Sequence, residues 1–220
     1  MTKKLPPQAV MLNLTIGHWI ARLTYVAADL RLADLLKDGP RTAEQLATAT
    51  GVQAPALYRV LRALASVGVF AETKGGRFKL TPLAATLQTG VPGSMRGWAL
   101  MINENYEWAA WEELLHGVKS GEMPFLKAHG VLPFEYLEKH PKDLEIFGES
   151  MTSLSATENP TIAAAYKFSS VRTLVDVGGG HGSLLATIRI GASSSTFKCS
   201  SSADVSALRR NSRRCSRRPD

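Results

Sequence analysis

An apolar stretch, Val171-Arg172-Thr173-Leu174-Val175-Asp176-Val177, runs into Gly178-Gly179-Gly180-His181-Gly182-Ser183 and then into Leu184-Leu185-Ala186-Thr187-Ile188. A strand-sized run, a glycine turn and the start of an apolar helix form the opening of a parallel α/β unit. Glycines let backbone approach a ligand closely, and the helix that follows points its free amides and positive dipole end toward the turn. Spacing then separates the possible ligands. A dinucleotide fingerprint would need its third glycine at Ser183, and a phosphate loop would need a lysine where His181-Gly182-Ser183 has none. What remains is D-x-G-x-G-x-G, made of Asp176, Gly178, Gly180 and Gly182, with a purely structural turn as the alternative reading.

Other chemistry is poorly represented. His181 lies inside the glycine loop and is not read as a general base. His18, His116, His129 and His140 form no close pair at metal-ligand spacing, and Glu112-Glu113 reads as a solvated helix face, so no metal is expected. Cys199 and Cys215 both fall in the last 32 residues. Residues 1–188 therefore carry no disulfide framework, which fits a reducing compartment.

The elements that would position the loop begin with a helix expected from Ile16 to Leu36, its apolar face made of Ile16, Ile20, Leu23, Val26, Ala27 and Leu30. Asp38-Gly39-Pro40 stops it, and Thr42-Ala43-Glu44-Gln45 opens a short helix with a capping signature. Pro55 suits the first turn of a third helix with core face Leu57, Val60, Leu61, Leu64 and Val67, closed by Gly68. Phe70, Phe78 and Leu80 around Lys74-Gly75-Gly76-Arg77 predict two short strands and a glycine turn. Helix, short helix, helix and hairpin in that order predict a winged helix over residues 1–95. Residues 96–168 read as helical and hold most of the aromatics, a stripe expected to be core.

At 220 residues, with 45% hydrophobic and 20% charged residues, the chain is long enough for one domain and part of another and too apolar for a disordered one. Pro6, Pro7, Gln8, Asn13, Gly17 and His18 interrupt the longest uncharged N-terminal stretch, so neither a membrane span nor a signal peptide is expected. The net charge of +7 invites a nucleic-acid partner, yet residues 189–220, half Ser or Arg, contribute +6 of it.

The D-x-G-x-G-x-G string resembles the first motif of S-adenosylmethionine-dependent methyltransferases. With the winged helix before it, and with Trp111, Leu115, Gly121, Pro124-Phe125, Ala128, Gly130, Phe134, Tyr136, Pro141, Phe147, Met151 and Ser155, the chain resembles plant and bacterial small-molecule O-methyltransferases over about residues 10–188. The resemblance implies a mainly α fold with a winged-helix dimerisation domain, followed by the opening of a Rossmann-like α/β methyltransferase domain. It divides the chain into a dimerisation domain (1–95), a helical linker and substrate lid (96–168), the first strand and glycine loop (169–188) and a Ser/Arg-rich tail without order (189–220). It implies S-adenosylmethionine as cofactor, held by Asp176, Gly178, Gly180, Gly182 and Ser155, and a small hydroxylated aromatic or polyketide-like acceptor against Phe147 and Met151. Simple helix packing is the alternative for Phe147 and Met151. Asp176 either accepts from the glycine-loop amides or bonds the cofactor's ammonium group. A cytoplasmic homodimer without membrane or nucleic-acid contacts is implied.

The family's general-base histidine lies well beyond the glycine loop, and the chain departs from the family's pattern after Ile188, so no catalytic residue is assigned. Truncation or an out-of-frame tail is the expectation for residues 189–220, with a genuine basic extension able to touch phosphates as the alternative, and Thr173–Val177 is expected to be a lone strand without a partner. The rival function is a winged-helix DNA-binding regulator, with the Pro55–Ser66 helix in a major groove and Gln53, Arg59 and Arg62 facing outward.

Overall fold

The computed structural model describes residues 5–168, 171, 173–189 and 196–200. They fall into two compact units divided after Asn103.

The first unit opens with α1 (Pro7–Thr15), which buries no residue and exposes Val10, Met11, Leu12 and Leu14. Helix α2 (Gly17–Asp29) follows, but the single helix expected through Leu36 breaks at Arg31, whose left-handed φ of 51° turns the chain before α3 (Leu32–Leu35). Apolar spacing continues across that break, so periodicity alone could not reveal it. Ala27, Ala28, Leu32, Ala33 and Leu36 are buried, whereas Ile16, Ile20, Leu23 and Val26 stay half-buried.

The expected capping box at α4 (Ala43–Thr50) is present. The Gln45 amide donates to Thr42 Oγ1 at 3.3 Å, and the Thr42 amide donates to Gln45 Oε1 at 2.9 Å. Helix α5 (Ala54–Ser66) carries Pro55 in its first turn and buries Leu57, Leu61 and Leu64. Val60 is only half-buried, and Val67, the residue that caps α5, is exposed.

The hairpin of β2 (Phe70–Glu72) and β3 (Arg77–Leu80) forms around left-handed Gly75 and Gly76, and its Phe70 and Phe78 are buried. A third strand, β1 (Arg41–Thr42), joins them in an antiparallel sheet of order β1-β3-β2. Two residues are too few to register as a strand in the sequence. Helices α6 (Pro82–Ala85) and α7 (Arg96–Met101) complete the unit. Asp34 accepts from the Thr89 amide and hydroxyl at 2.8 and 2.7 Å, and Arg96 Nε donates to the Ala28 carbonyl at 2.9 Å. The Arg96 contact lies just past residue 95, and the compact unit extends to Asn103.

The second unit runs through α8 (Asn105–Glu112), α9 (Leu114–Ser120), α10 (Pro124–His129), α11 (Pro133–Lys139) and α12 (Pro141–Ala165). Gly121 and Gly130 end α9 and α10 in left-handed conformation, as C-cap glycines do. Tyr106, Phe125 and Leu137 form the buried cluster, with Tyr136, Leu144 and Phe147 packed against it. The aromatic stripe is core only in part. Trp111, Phe134 and Tyr166 are all more than half exposed, since these short helices turn successive faces away from one another. The 25-residue α12 contains Pro160, which has no N–H to offer the preceding turn.

Strand β4 (Thr173–Val177), the glycine loop and α13 (Ser183–Arg189) close the described part of this unit with β5 (Thr196–Ser200). The expectation of a lone strand does not hold. β5 pairs with β4 in parallel, Asp176 opposite Cys199 and Val177 opposite Ser200. The partner comes from the segment expected to be without order, because backbone pairing satisfies β4 irrespective of the Ser-rich composition around it.

Candidate functional site

The site is built where β4 ends. Gly178, Gly180 and Gly182 take φ values of 76°, 52° and 73°, alternating left-handed positions that residues with a Cβ adopt at a cost. The Gly182 amide donates to the Gly179 carbonyl at 2.7 Å, which closes the turn directly before α13. A Cβ on Gly178 or Gly180 would meet nothing within 4 Å, so the loop presents bare backbone on an open side. A Cβ on Gly179 would overlap the Asp176 carboxylate. Asp176 is half-buried on β4, on the face opposite exposed Val175 and Val177.

Helix α12 buttresses the loop and α13 from one side. Asn159 is buried, and with its amide oriented to satisfy both ends, Oδ1 accepts from the Ser183 hydroxyl at 3.0 Å and the Leu184 amide at 3.2 Å. Its Nδ2 then donates to the Ser155 carbonyl at 3.3 Å. Thr152 donates its hydroxyl to the Gly148 carbonyl at 2.9 Å and lies 2.8 Å from His181 Nδ1. On α13, Leu185 and Ile188 are buried and the Thr187 hydroxyl donates to the Ser183 carbonyl at 2.9 Å.

Of the residues singled out from sequence, Asp176, Gly178, Gly180 and Gly182 share one loop, and Ser155 is tied through its carbonyl to Asn159, which also holds Ser183. Phe147 meets Phe134 edge to face at 6.0 Å and packs on the Tyr106 cluster, while Met151 is half-buried on the same helix. Gly179, Asn159, Thr152 and His181 complete the arrangement and were not singled out for these contacts. The only sequence signal for Gly179 was its place in an unbroken glycine triplet, and Asn159 had none, lying 24 positions from its partner.

Electrostatics concentrate nearer the aromatic cluster. Burial pushes the Tyr106 hydroxyl well above its ordinary range, with Glu107 and Asp143 adding to the rise. Burial also raises the Glu107 carboxyl, and the neighbouring His129 offsets part of that. Glu122 is held below the ordinary carboxylate value by its 2.6 Å contact with His116 Nε2. No described helix is long and apolar enough to cross a membrane.

Comparison with known proteins agrees with this architecture. Residues 12–90 match the O-methyltransferase dimerisation domain and residues 111–197 the O-methyltransferase domain, so the chain belongs to the O-methyltransferase family. The second match continues past Ile188. The chain is 43% identical over 183 residues to "Phenazine O-methyltransferase PhzM" of Lysobacter antibioticus, covering 83% of this chain and 53% of that protein. It superposes on the crystal structure of LaPhzM with a TM-score of 0.84 at 40% identity, covering 88% of this chain and 58% of the other. It also superposes on CalO1, a methyltransferase of calicheamicin biosynthesis in its SAH-bound form, with a TM-score of 0.76 at 31% identity, covering 93% and 62% of the two chains. The chain spans about half the length of the curated relatives it matches. The DNA-binding alternative finds no support here, since the segment it would use falls in the dimerisation match.

Proposed function

We propose that this chain carries the methyl-donor side of an S-adenosylmethionine-dependent O-methyltransferase whose acceptor is a small hydroxylated aromatic or polyketide-like molecule. The observation that supports it most is the loop after β4, where left-handed Gly178 and Gly180 leave backbone open beside the Asp176 carboxylate. Such a cradle suits a zwitterionic amino-acid ligand, with amides for its carboxylate and Asp176 for its ammonium group. The SAH-bound relative is consistent with that assignment.

The donor, when bound, would supply an electrophilic methyl group on a sulfonium for in-line attack by the acceptor oxygen, with S-adenosylhomocysteine as the leaving group. The residues of this chain serve to bind and align. Gly178 and Gly180 admit the ligand to the backbone, Gly182 lets the turn close into α13, Asp176 orients the ligand's charged end, and Ser155 borders it from α12. Phe147 and Met151, four positions apart on α12, form an apolar wall for the acceptor. No residue among the described segments is assigned the removal of the acceptor's proton.

The helix, short helix, helix and hairpin of the first unit are read as a winged helix that dimerises with a second copy. Apolar Val10, Met11, Leu14 and Trp19 are exposed and call for cover. Cytoplasmic placement completes the reading.

Calorimetry of the purified chain with S-adenosylhomocysteine and, separately, NAD tests the donor site. Binding of the first and not the second is expected, and the reverse pattern would overturn the proposal. Sedimentation at tens of micromolar should show a dimer.

A further inference from the structure

We propose that His181 is a positioning residue that fastens the glycine loop to α12, through a hydrogen bond from its Nδ1–H to the Thr152 hydroxyl. This rests on the reading that the loop holds the methyl donor, and it gives the one non-glycine residue inside the loop a role apart from proton transfer.

The bonding pattern fixes the direction. Thr152 spends its own hydroxyl proton on the Gly148 carbonyl at 2.9 Å, so at 2.8 Å from His181 Nδ1 it has only a lone pair to offer. The imidazole must therefore carry its proton on Nδ1 and donate it. The other edge of the ring rests on bare helix backbone, since a Cβ on Gly148 would come within 3.0 Å of Nε2 and 3.1 Å of Cε1. Gly148 thus makes a seat for the ring, at a helix position where glycine is otherwise unfavourable. His181 itself stands between left-handed Gly180 and Gly182. The path of the loop and the aim of the imidazole are set together.

The partners on α12 have neighbours that matter. Gly148 follows Phe147 and Thr152 follows Met151, the two residues assigned to the acceptor wall. Fastening the loop to those two turns places donor backbone and acceptor wall on one stiff assembly, and near-attack alignment depends on that separation staying constant.

Amide hydrogen exchange on the full chain tests the clamp without any ligand, and calorimetry with S-adenosylhomocysteine tests its use. His181→Ala and Thr152→Val should each speed exchange at residues 179–182 by about three- to tenfold, the worth of one modest hydrogen bond. The double variant should be no faster than either single, and His181→Asn, which returns an N–H donor near Nδ1, should restore slow exchange. Gly148→Ala should loosen the loop in the parent chain but not in the His181→Ala chain, while favouring the helix in both. Affinity for S-adenosylhomocysteine should fall by the same factor wherever exchange rises. Additive effects of the two single variants, or no rescue by asparagine, would overturn the clamp. The expected exchange pattern with no binding by the parent chain would support the clamp and overturn the donor reading alone.

Discussion

The carboxylate of Asp176 folds back over Gly179, and any side chain at that glycine would occupy the same space. The two residues are separated by two positions, across the transition from strand to turn. Asp176 can bend over the loop only because the residue beneath it has no Cβ. Gly179 thereby differs from its neighbours, whose glycines answer a demand of backbone angle.

Gly179→Ala should displace the Asp176 carboxylate and lower affinity for S-adenosylhomocysteine at least about tenfold, a loss of about 1.4 kcal/mol. The first unit lies outside the change, so its hydrogen-exchange protection should be unaltered. Unchanged affinity would remove Asp176 from the site.

Asn159→Leu removes a buried amide that serves Ser183, Leu184 and Ser155 together. The orphaned groups should cost about 1–3 kcal/mol in the second unit. Denaturant titration followed by exchange at residues 183–188 measures it, and a neutral result would show that water replaces the side chain.

Arg31 holds a left-handed φ of 51°. Arg31→Gly should stabilise the first unit by about 0.5–1 kcal/mol by relieving that conformation, despite the looser unfolded chain. A fall in thermal midpoint would mean that the arginine side chain contributes more than its backbone costs.

Glu107 is raised above its ordinary value chiefly by burial. The folded chain then holds this proton more tightly than the unfolded one, so stability declines as pH rises from the ordinary carboxylate value through the raised one. Glu107→Gln should raise the thermal midpoint at pH 7 and leave it unchanged near pH 3. An equal gain at both would assign the effect to packing.

Local signals were legible and distant ones were not. Thr42 and Gln45 announce their helix because both capping bonds close within four residues. The glycine loop was readable for the same reason, its left-handed positions coinciding with Gly178, Gly180 and Gly182. Strand β5 was not, since the short alternation of Phe197 and Cys199 with Thr196, Lys198 and Ser200 lies inside a Ser-rich run, and pairing with the edge of β4 is what makes it a strand. The break at Arg31 follows from tertiary packing that periodicity does not carry. Trp111 and Phe134 look like core by size, yet their exposure is decided by how short helices turn. Asn159 and His181 gain meaning only when α12 is laid against the loop, 24 and 29 positions from their partners.

Pro160 marks the one turn of α12 that forgoes a backbone hydrogen bond. Its ring supplies no proton to the carbonyl of Ala156, which lies on the exposed side and is left to water. Gly148 and Thr152 lie before that turn, and Asn159 lies inside it, between Ala156 and Pro160. The helix nonetheless continues to Ala165, so the buried Asn159 amide that holds Ser183 and Leu184 sits on the inner side of the same turn whose outer side gives up a bond.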